Sequence, residues 1–161
     1  MDDIEFIPLT VRNLSLALPI YEANRAYYDL LETAVSVKTI EDDLVALPAG
    51  VQISQKHFGV IAQQGRPLAV LDVVTGYPGA ETAYIGLLLV ADKGRGIGGR
   101  ILVELETRLK ASGYQQIGLA VLRNNPRAQH FWTQQGFTAT GAAVAQAGSS
   151  QVSVISYQKP L

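Results

Sequence analysis

The stretch from His57 to Val90 limits the possible folds more than any other part of the chain. Three apolar runs, His57 to Gln63, Leu68 to Val74 and Thr82 to Val90, have the aliphatic and β-branched character of strands. Only the turns Gln64-Gly65-Arg66-Pro67 and Gly76-Tyr77-Pro78-Gly79 separate them. Two parallel strands need a crossover of roughly a dozen residues or more. These connections are much shorter, so the three runs are expected to form an antiparallel meander.

On either side the apolar period is helical. Ile4 to Leu9 reads as a short first strand. From Val11 to Leu31, residues Leu14, Leu18, Tyr21, Ala26 and Leu30 recur at helical spacing, and Pro19 is expected to kink or divide that helix. Thr39-Ile40-Glu41-Asp42 fits a capping pattern, which predicts a helix over 40–47 that stops at Pro48-Ala49-Gly50. Beyond Val90 a glycine-rich loop opens a helix over 98–112, with Ile101, Leu102, Leu105 and Leu109 on its apolar stripe and Gly113 at its end. A strand over 116–122 follows, then a helix over 126–135 ended by Gly136. Runs 137–147 and 151–158 make a closing hairpin around Gly148-Ser149-Ser150. No repeat or linker interrupts this order. Residues 1–161 read as a single α/β domain (α+β) with a mixed sheet.

Of the 161 residues, 48% are apolar and 17% charged, and the net charge is -1, as in a globular protein without a bias toward nucleic acid or membrane. There is no cysteine, which excludes disulfides, thiolate metal sites and an acyl-cysteine intermediate. No pair of metal-ligand types stands at metal spacing, so no metal is expected. His57 and His130 read as a strand residue and a surface helix residue. Met1-Asp2-Asp3-Ile4-Glu5 lacks the basic and apolar regions of a signal peptide, and the apolar run from Ile85 to Ala91 is too short for a bilayer. The expectation is a cytoplasmic protein.

The loop Lys93-Gly94-Arg95-Gly96-Ile97-Gly98-Gly99-Arg100 lies between a strand and a helix. At such a helix start the first N–H groups have no internal partner, the dipole is positive, and glycine lets a phosphate approach the backbone. Lys93, Arg95 and Arg100 add positive charge. The same residues also satisfy the dinucleotide fingerprint G-x-G-x-x-G from Gly94 to Gly99. That reading calls for an acid at the end of the next strand, where the chain has Leu122-Arg123-Asn124-Asn125. Arg123 would suit a 2′-phosphate, so an NADP-binding enzyme stands as one alternative. A plain tight turn is another.

A second motif follows one strand later. Asn125-Pro126-Arg127-Ala128 leads through Phe131-Trp132 to Gly136-Phe137. By itself this is an amphipathic helix with proline at its start and Asn125 as either cap or ligand donor. N-x-x-A-x-x-F-[YW]-x-x-x-G-F, one strand after the glycine loop, resembles the cofactor site of the GNAT superfamily of N-acetyltransferases. Leu87 to Val90 and Leu119 to Ala128 are similar to that family as well. The resemblance implies a single domain with a central, mostly antiparallel mixed sheet flanked by helices, whose middle strands splay to admit acetyl-CoA. It implies that backbone at Leu88, Leu89 and Val90 pairs with the pantetheine arm. It also implies that Lys93, Gly94, Arg95, Gly96, Ile97, Gly98, Gly99 and Arg100 hold the pyrophosphate, that Asn125 bonds the cofactor arm, and that Phe131 and Trp132 wall the thioester end. Lys93 replaces the family's usual glutamine or arginine. The link from Val90 to Lys93 is about two residues shorter than the family's, and Trp132 replaces a frequent tyrosine, removing a phenol as proton donor.

The reaction so implied is direct attack of a primary amine, of a small molecule or peptide, on the thioester. The place of a family carboxylate on the fourth strand matches Tyr84, which can orient a water. Glu81 beside it and Asp72 on the neighbouring strand are further candidates for the base, and the N–H at Leu89 for oxyanion stabilisation. Tyr27, Tyr28, Glu32 and Tyr77 fall in the expected acceptor wall, and Glu41-Asp42-Asp43 would draw a cation. A CoA-binding regulatory module without turnover is the alternative in a different class. Monomer and homodimer are both open.

Overall fold

A computed structural model describes residues 3–147 and 150–161. Met1-Asp2 and the hairpin tip Gly148-Ser149 lie outside the described residues. The meander is built as its short turns require: β1 (Ile4–Pro8), β2 (Lys56–Gln63), β3 (Arg66–Thr75) and β4 (Thr82–Val90) pair antiparallel in that order. Gln64 and Gly65, with φ of 51° and 76°, close the β2–β3 hairpin in the left-handed conformation that a tight hairpin turn needs. β5 (Gln116–Leu122) then pairs parallel with β4, β7 (Ser150–Pro160) lies antiparallel to β5, and β6 (Thr138–Ala147) forms the far edge. The seven-stranded order is β1-β2-β3-β4-β5-β7-β6, a mixed sheet with one parallel neighbour pair.

Helices cover the two faces. α1 (Leu18–Ala23), α2 (Arg25–Leu30) and α3 (Val37–Val45) pack on one face around Leu14, Ile20, Tyr21, Tyr28, Ile40, Phe58, Val60, Val70 and Leu89. On the other, α4 (Ile97–Ala111) and α5 (Pro126–Gln134) bury Ile101, Leu102, Leu109 and Trp132 against Leu71, Ile85, Leu119 and Phe137. Alternate residues of β3 and β4 serve opposite cores, as the period of two requires. Among the described residues no helix is long and apolar enough to cross a membrane.

Three boundaries differ from the sequence reading. The first helical stretch is divided twice: a short 3-10 turn, Leu14–Leu16, ends just ahead of α1 and Pro19, as expected, and a second break falls at Asn24. The proline sits in the first turn of α1, where a missing N–H is harmless, whereas the Asn24 amide Nδ2 donates to Ile20 O at 2.8 Å and to Val90 O at 3.0 Å. The junction is therefore fastened to the end of β4. α3 starts at Val37, three residues before the expected position, because Ser36 is its N-cap and Thr39 Oγ1 accepts the Ser36 N–H at 3.2 Å. It stops at Val45, since Ala46 takes extended backbone ahead of Pro48.

Gly59 shows how closely β1 is seated. A Cβ there would lie 2.5 Å from the Ile7 carbonyl oxygen and 2.6 Å from the Phe6 ring. Gly59→Ala is expected to cost about 1–3 kcal/mol, as overpacking does, and to lower the urea midpoint with little change in slope. An unchanged midpoint would show that β1 yields at this contact.

Candidate active site

β4 and β5 part in the middle of the sheet. Thr82 to Ile85 pair with Gln116 to Leu119, and there the ladder ends. Ala120 to Leu122 continue only against β7, and Leu87 to Val90 only against β3. The parting begins at a bulge: Asp72 is opposite Leu87 and Val73 opposite Ile85, so Gly86 is the extra residue. The Ala91 N–H donates to Leu68 O at 2.9 Å, which sets the alternation of the β3–β4 ladder. By that alternation Leu89 exchanges hydrogen bonds with Val70, and the main-chain groups of Leu88 and Val90 point away from β3 into the gap. The Leu89 N–H, expected as an oxyanion donor, is thus committed to the sheet. Leu88 has the amide that faces the gap. The Leu89 side chain is buried among the α1–α3 core residues.

The glycine loop lies at the mouth of this gap and its glycines divide by role. Gly94 and Gly96 have φ of 80° and 71°, with nothing within 4 Å of where a Cβ would stand, so they form an open, left-handed turn at the start of α4. Gly98 and Gly99 are packing glycines. A Cβ would fall 3.0 Å from the Phe131 ring in the first case and 3.1 Å from Gln135 Oε1 in the second. Arg100 N–H bonds back to Gly96 O at 3.1 Å, so the amides of Ile97, Gly98 and Gly99 precede the first helical hydrogen bond. Arg95 pairs with Asp92 at 2.9 Å on the surface, and Arg100 is exposed. Burial and the neighbouring Arg127 lower the pKa of Lys93, whose ammonium lies 3.4 Å from Ala23 O. Arg127 was not singled out by the sequence, although a cation in the first turn of a helix opposes the dipole and so asks for an anion nearby.

Across the gap, Asn125 caps α5: its Oδ1 accepts the Ala128 N–H at 3.2 Å. Phe131 is half-buried against Gly98 and Val90, whereas Trp132 is 8% exposed and edge-on to Phe137 at 5.1 Å. Of the two expected wall residues, Phe131 reaches the gap and Trp132 belongs to the core.

The α1–α3 side is aromatic and acidic. Tyr21 stacks on Tyr28 at 5.4 Å, and Tyr27 meets Tyr28 edge-on at 5.0 Å. Tyr21 Oη donates to Asp43 Oδ2 at 2.7 Å. Of the acidic run 41–43, only Asp43 turns inward. Burial, assisted by Asp43, raises the pKa of all three phenols, that of Tyr27 to about 12. Asp72, 9% exposed, forms an ion pair of 2.8 Å with Lys56, whose side chain is 3% exposed and also donates to Ala46 O at 2.8 Å.

The remaining candidates are more peripheral. Glu32 is exposed with φ of 53°, and Tyr77 packs edge-on to Tyr84 at 5.2 Å. Burial raises the pKa of Tyr84, keeping it a donor rather than a base. Glu81 is exposed at the closed end of the β4–β5 pairing, five positions or about 17 Å of strand from Gly86. That distance removes it from the parting, and with it the expectation of a base there. Among the described residues no cluster of three metal-ligating side chains occurs. A dinucleotide fold needs parallel strands on both sides of its crevice, and here every neighbour pair except β4–β5 is antiparallel, which excludes the NADP reading.

Comparison with known proteins agrees with this geometry. The profile of the acetyltransferase (GNAT) family matches residues 19–137. Among solved structures, an acetyltransferase from Thermus thermophilus is similar at TM-score 0.79 and 24% identity, covering 98% of this chain and 97% of that one. The ribosomal-protein-S18-alanine N-acetyltransferase of Escherichia coli is similar at TM-score 0.68 and 17% identity, over 98% and 94%. A Bacillus subtilis acetyltransferase solved in complex with CoA reaches TM-score 0.62 at 15% identity, over 98% and 97%. Among curated proteins, none matches this sequence.

The Asn125 cap has a measurable consequence. Asn125→Ala should destabilise the protein by about 1 kcal/mol through loss of the cap, and Asn125→Asp, which keeps the acceptor oxygen, by much less. Equal losses in denaturant melts of the two variants would show that the cap is not what Asn125 contributes.

Proposed function

Because this chain belongs to the acetyltransferase (GNAT) family, we propose that it moves an acetyl group from acetyl-CoA to a primary amine of a small molecule or peptide. The observation that carries the proposal is the parting of β4 from β5, with an open glycine turn and unpaired helix amides at its mouth. A pantetheine arm is an extended chain with amides, and the free edge of β4 at Leu88 and Val90 suits it as a strand partner. The pyrophosphate suits the turn from Gly94 to Gly99, with Lys93, Arg95, Arg100 and Arg127 near enough to offset its charge. Phe131 is the apolar wall of the passage.

Chemistry then needs little from the protein beyond position. A neutral amine attacks the thioester carbonyl, the C–N bond forms, and the C–S bond breaks as the thiolate leaves. The absence of cysteine excludes a covalent acyl-thiol relay. The amide of Leu88, facing the gap, is the main-chain donor best placed for the oxyanion that develops during attack. Tyr84 and Tyr77 stand on the acceptor side, where a phenol O–H can hold a substrate or a water by donating a hydrogen bond.

Isothermal titration with acetyl-CoA tests the cofactor half. Gly96 sits in the left-handed region, where Asn and Asp are the best tolerated replacements. Gly96→Asn and Gly96→Asp thus impose similar backbone cost and differ in charge. The wild type should bind, and the aspartate should weaken binding by at least about tenfold more than the asparagine, a like-charge effect of about 1.4 kcal/mol. Equal weakening would move the pyrophosphate away from this turn, and no binding by a folded wild type would defeat the proposal.

A further inference from the structure

The strongest unexplained feature lies on the acceptor side of the parting. Asp72 is opposite Leu87, beside the bulge at Gly86, and a Cβ on Gly86 would lie 3.0 Å from Asp72 Oδ2. Gly86 itself is exposed. A buried carboxylate therefore borders the open gap at the point where β4 leaves β5. Its Oδ2 is taken by Lys56 at 2.8 Å, while its Oδ1 is buried and has no hydrogen-bond partner. Lys56 bonds only Oδ2; its ammonium also donates to Ala46 O at 2.8 Å and lies 5.4 Å from the centre of the Phe58 ring. A buried acceptor left unpaired costs stability, so this oxygen calls for a partner that the packed protein groups do not supply. Nearby, Tyr28 Oη is also buried, facing Tyr21 and Asp43 without a full hydrogen bond to either.

Resting on the acetyl-transfer reading above, we propose that Asp72, oriented by Lys56, receives the ammonium group of the acceptor and takes its proton. The acceptor so recognised is an amine with one positive charge on an otherwise uncharged, aromatic or apolar body. The charge count supports that class. Two inward carboxylates, Asp43 and Asp72, stand against one inward ammonium, Lys56, which leaves a single negative charge to be matched. The walls around it are Tyr21, Tyr27 and Tyr28, with Tyr84 diagonally across the β3–β4 ladder. Asp43 is the weaker candidate because Tyr21 already donates to it and it lies on α3, away from the bulge.

The step balances simply. The ammonium gives one proton to Asp72, and the neutral amine attacks the acetyl carbonyl. As the C–S bond breaks, the departing thiolate takes the second proton from nitrogen, and Asp72 returns its own to water. The groups around Asp72 are Lys56 on its own face of β2, His57 acting at longer range from the opposite face, Asp43 from α3 and Tyr84 from β4, with Tyr21 and Tyr28 beyond Asp43. Burial raises the Asp72 pKa despite Lys56, which brings its basicity closer to that of a working base. Activity should accordingly fall on the acid side, as Asp72 becomes protonated.

The probes are 2-phenylethylamine and its uncharged counterpart 2-phenylethanol, titrated into the CoA-loaded protein. The wild type should prefer the amine by about tenfold or more, the scale of a charged hydrogen bond. Asp72→Asn should lose that preference and lower kcat for thiol release with 2-phenylethylamine about 100-fold or more, with acetyl-CoA affinity unchanged. Because Asp72→Asn strands a buried lysine, the Asp72→Asn/Lys56→Gln double variant removes both charges and should behave alike while melting near the wild type. Lys56→Gln alone should move the acid limb of kcat/KM to higher pH, since a carboxylate without its cation is protonated more easily. A merely structural Lys56 would not move it. The inference is overturned if the wild type binds acetyl-CoA yet shows no amine preference or no amine-dependent thiol release, or if the preference or the acid limb survives in both Asp72 variants. Failure to bind acetyl-CoA would instead defeat the function on which it rests.

Discussion

A sheet that stops pairing in its own middle has to account for the main-chain groups it leaves behind. Beyond Ile85 and Leu119, β4 and β5 give up their mutual hydrogen bonds while each keeps its outer partner. Buried N–H and C=O groups without partners are costly, so such a parting persists only where something else satisfies them. Two local devices hold it open. The extra residue at Gly86 turns β4 away, and the side chain of Asn24 takes up the Val90 carbonyl at 3.0 Å, fastening α1 and α2 to the diverging strand. Every other part of the site takes its position from this parting.

The two faces of the sheet then acquire different chemistry. On the α4–α5 side, glycine contacts set the geometry: Gly98 lets Phe131 and Val90 close together, and Gly94 and Gly96 leave a turn with no side chains in front of helix amides. That side is suited to a long, anionic, amide-bearing ligand. The α1–α3 side is a buried set of phenols and two carboxylates around one lysine, suited to a small cation. In the proposed reaction, acetyl donor and acceptor would approach the same opening from opposite faces, which is how a transferase with no covalent relay can bring them together.

Much of this was legible in the chain. Connection lengths alone specified the antiparallel meander, and proline and glycine positions located α5 and both ends of α4 to within a residue or so. Other outcomes differ where a local signal meets a tertiary demand. Pro19 does mark the start of α1, but a second break falls at Asn24, whose amide is needed across the fold at Val90. Trp132 looked like a wall of the site and is core, because its neighbour Phe131 takes the outward position of the helix. Glu81 looked like a base for its nearness in sequence to Tyr84, yet it lies at the closed end of the paired strands. Lys56 had no sequence signal at all. A lone lysine at a strand start reads as solvated until the fold buries it.

By itself the sequence determined the order and type of the elements, the meander, the glycine turn ahead of a helix and the motif that marks the family. Each of these rests on period, turn chemistry or spacing, which are properties of short stretches of chain. Only the tertiary structure decided which backbone amides remain unpaired, which glycines are open and which are packed, and which of several carboxylates faces the gap. Those outcomes depend on register and on contacts between residues far apart in the chain, such as Asp72 with Gly86 and Lys56, or Asn24 with Val90. Hydrogen bonding and burial are set by what ends up beside a group, and no local pattern contains that information.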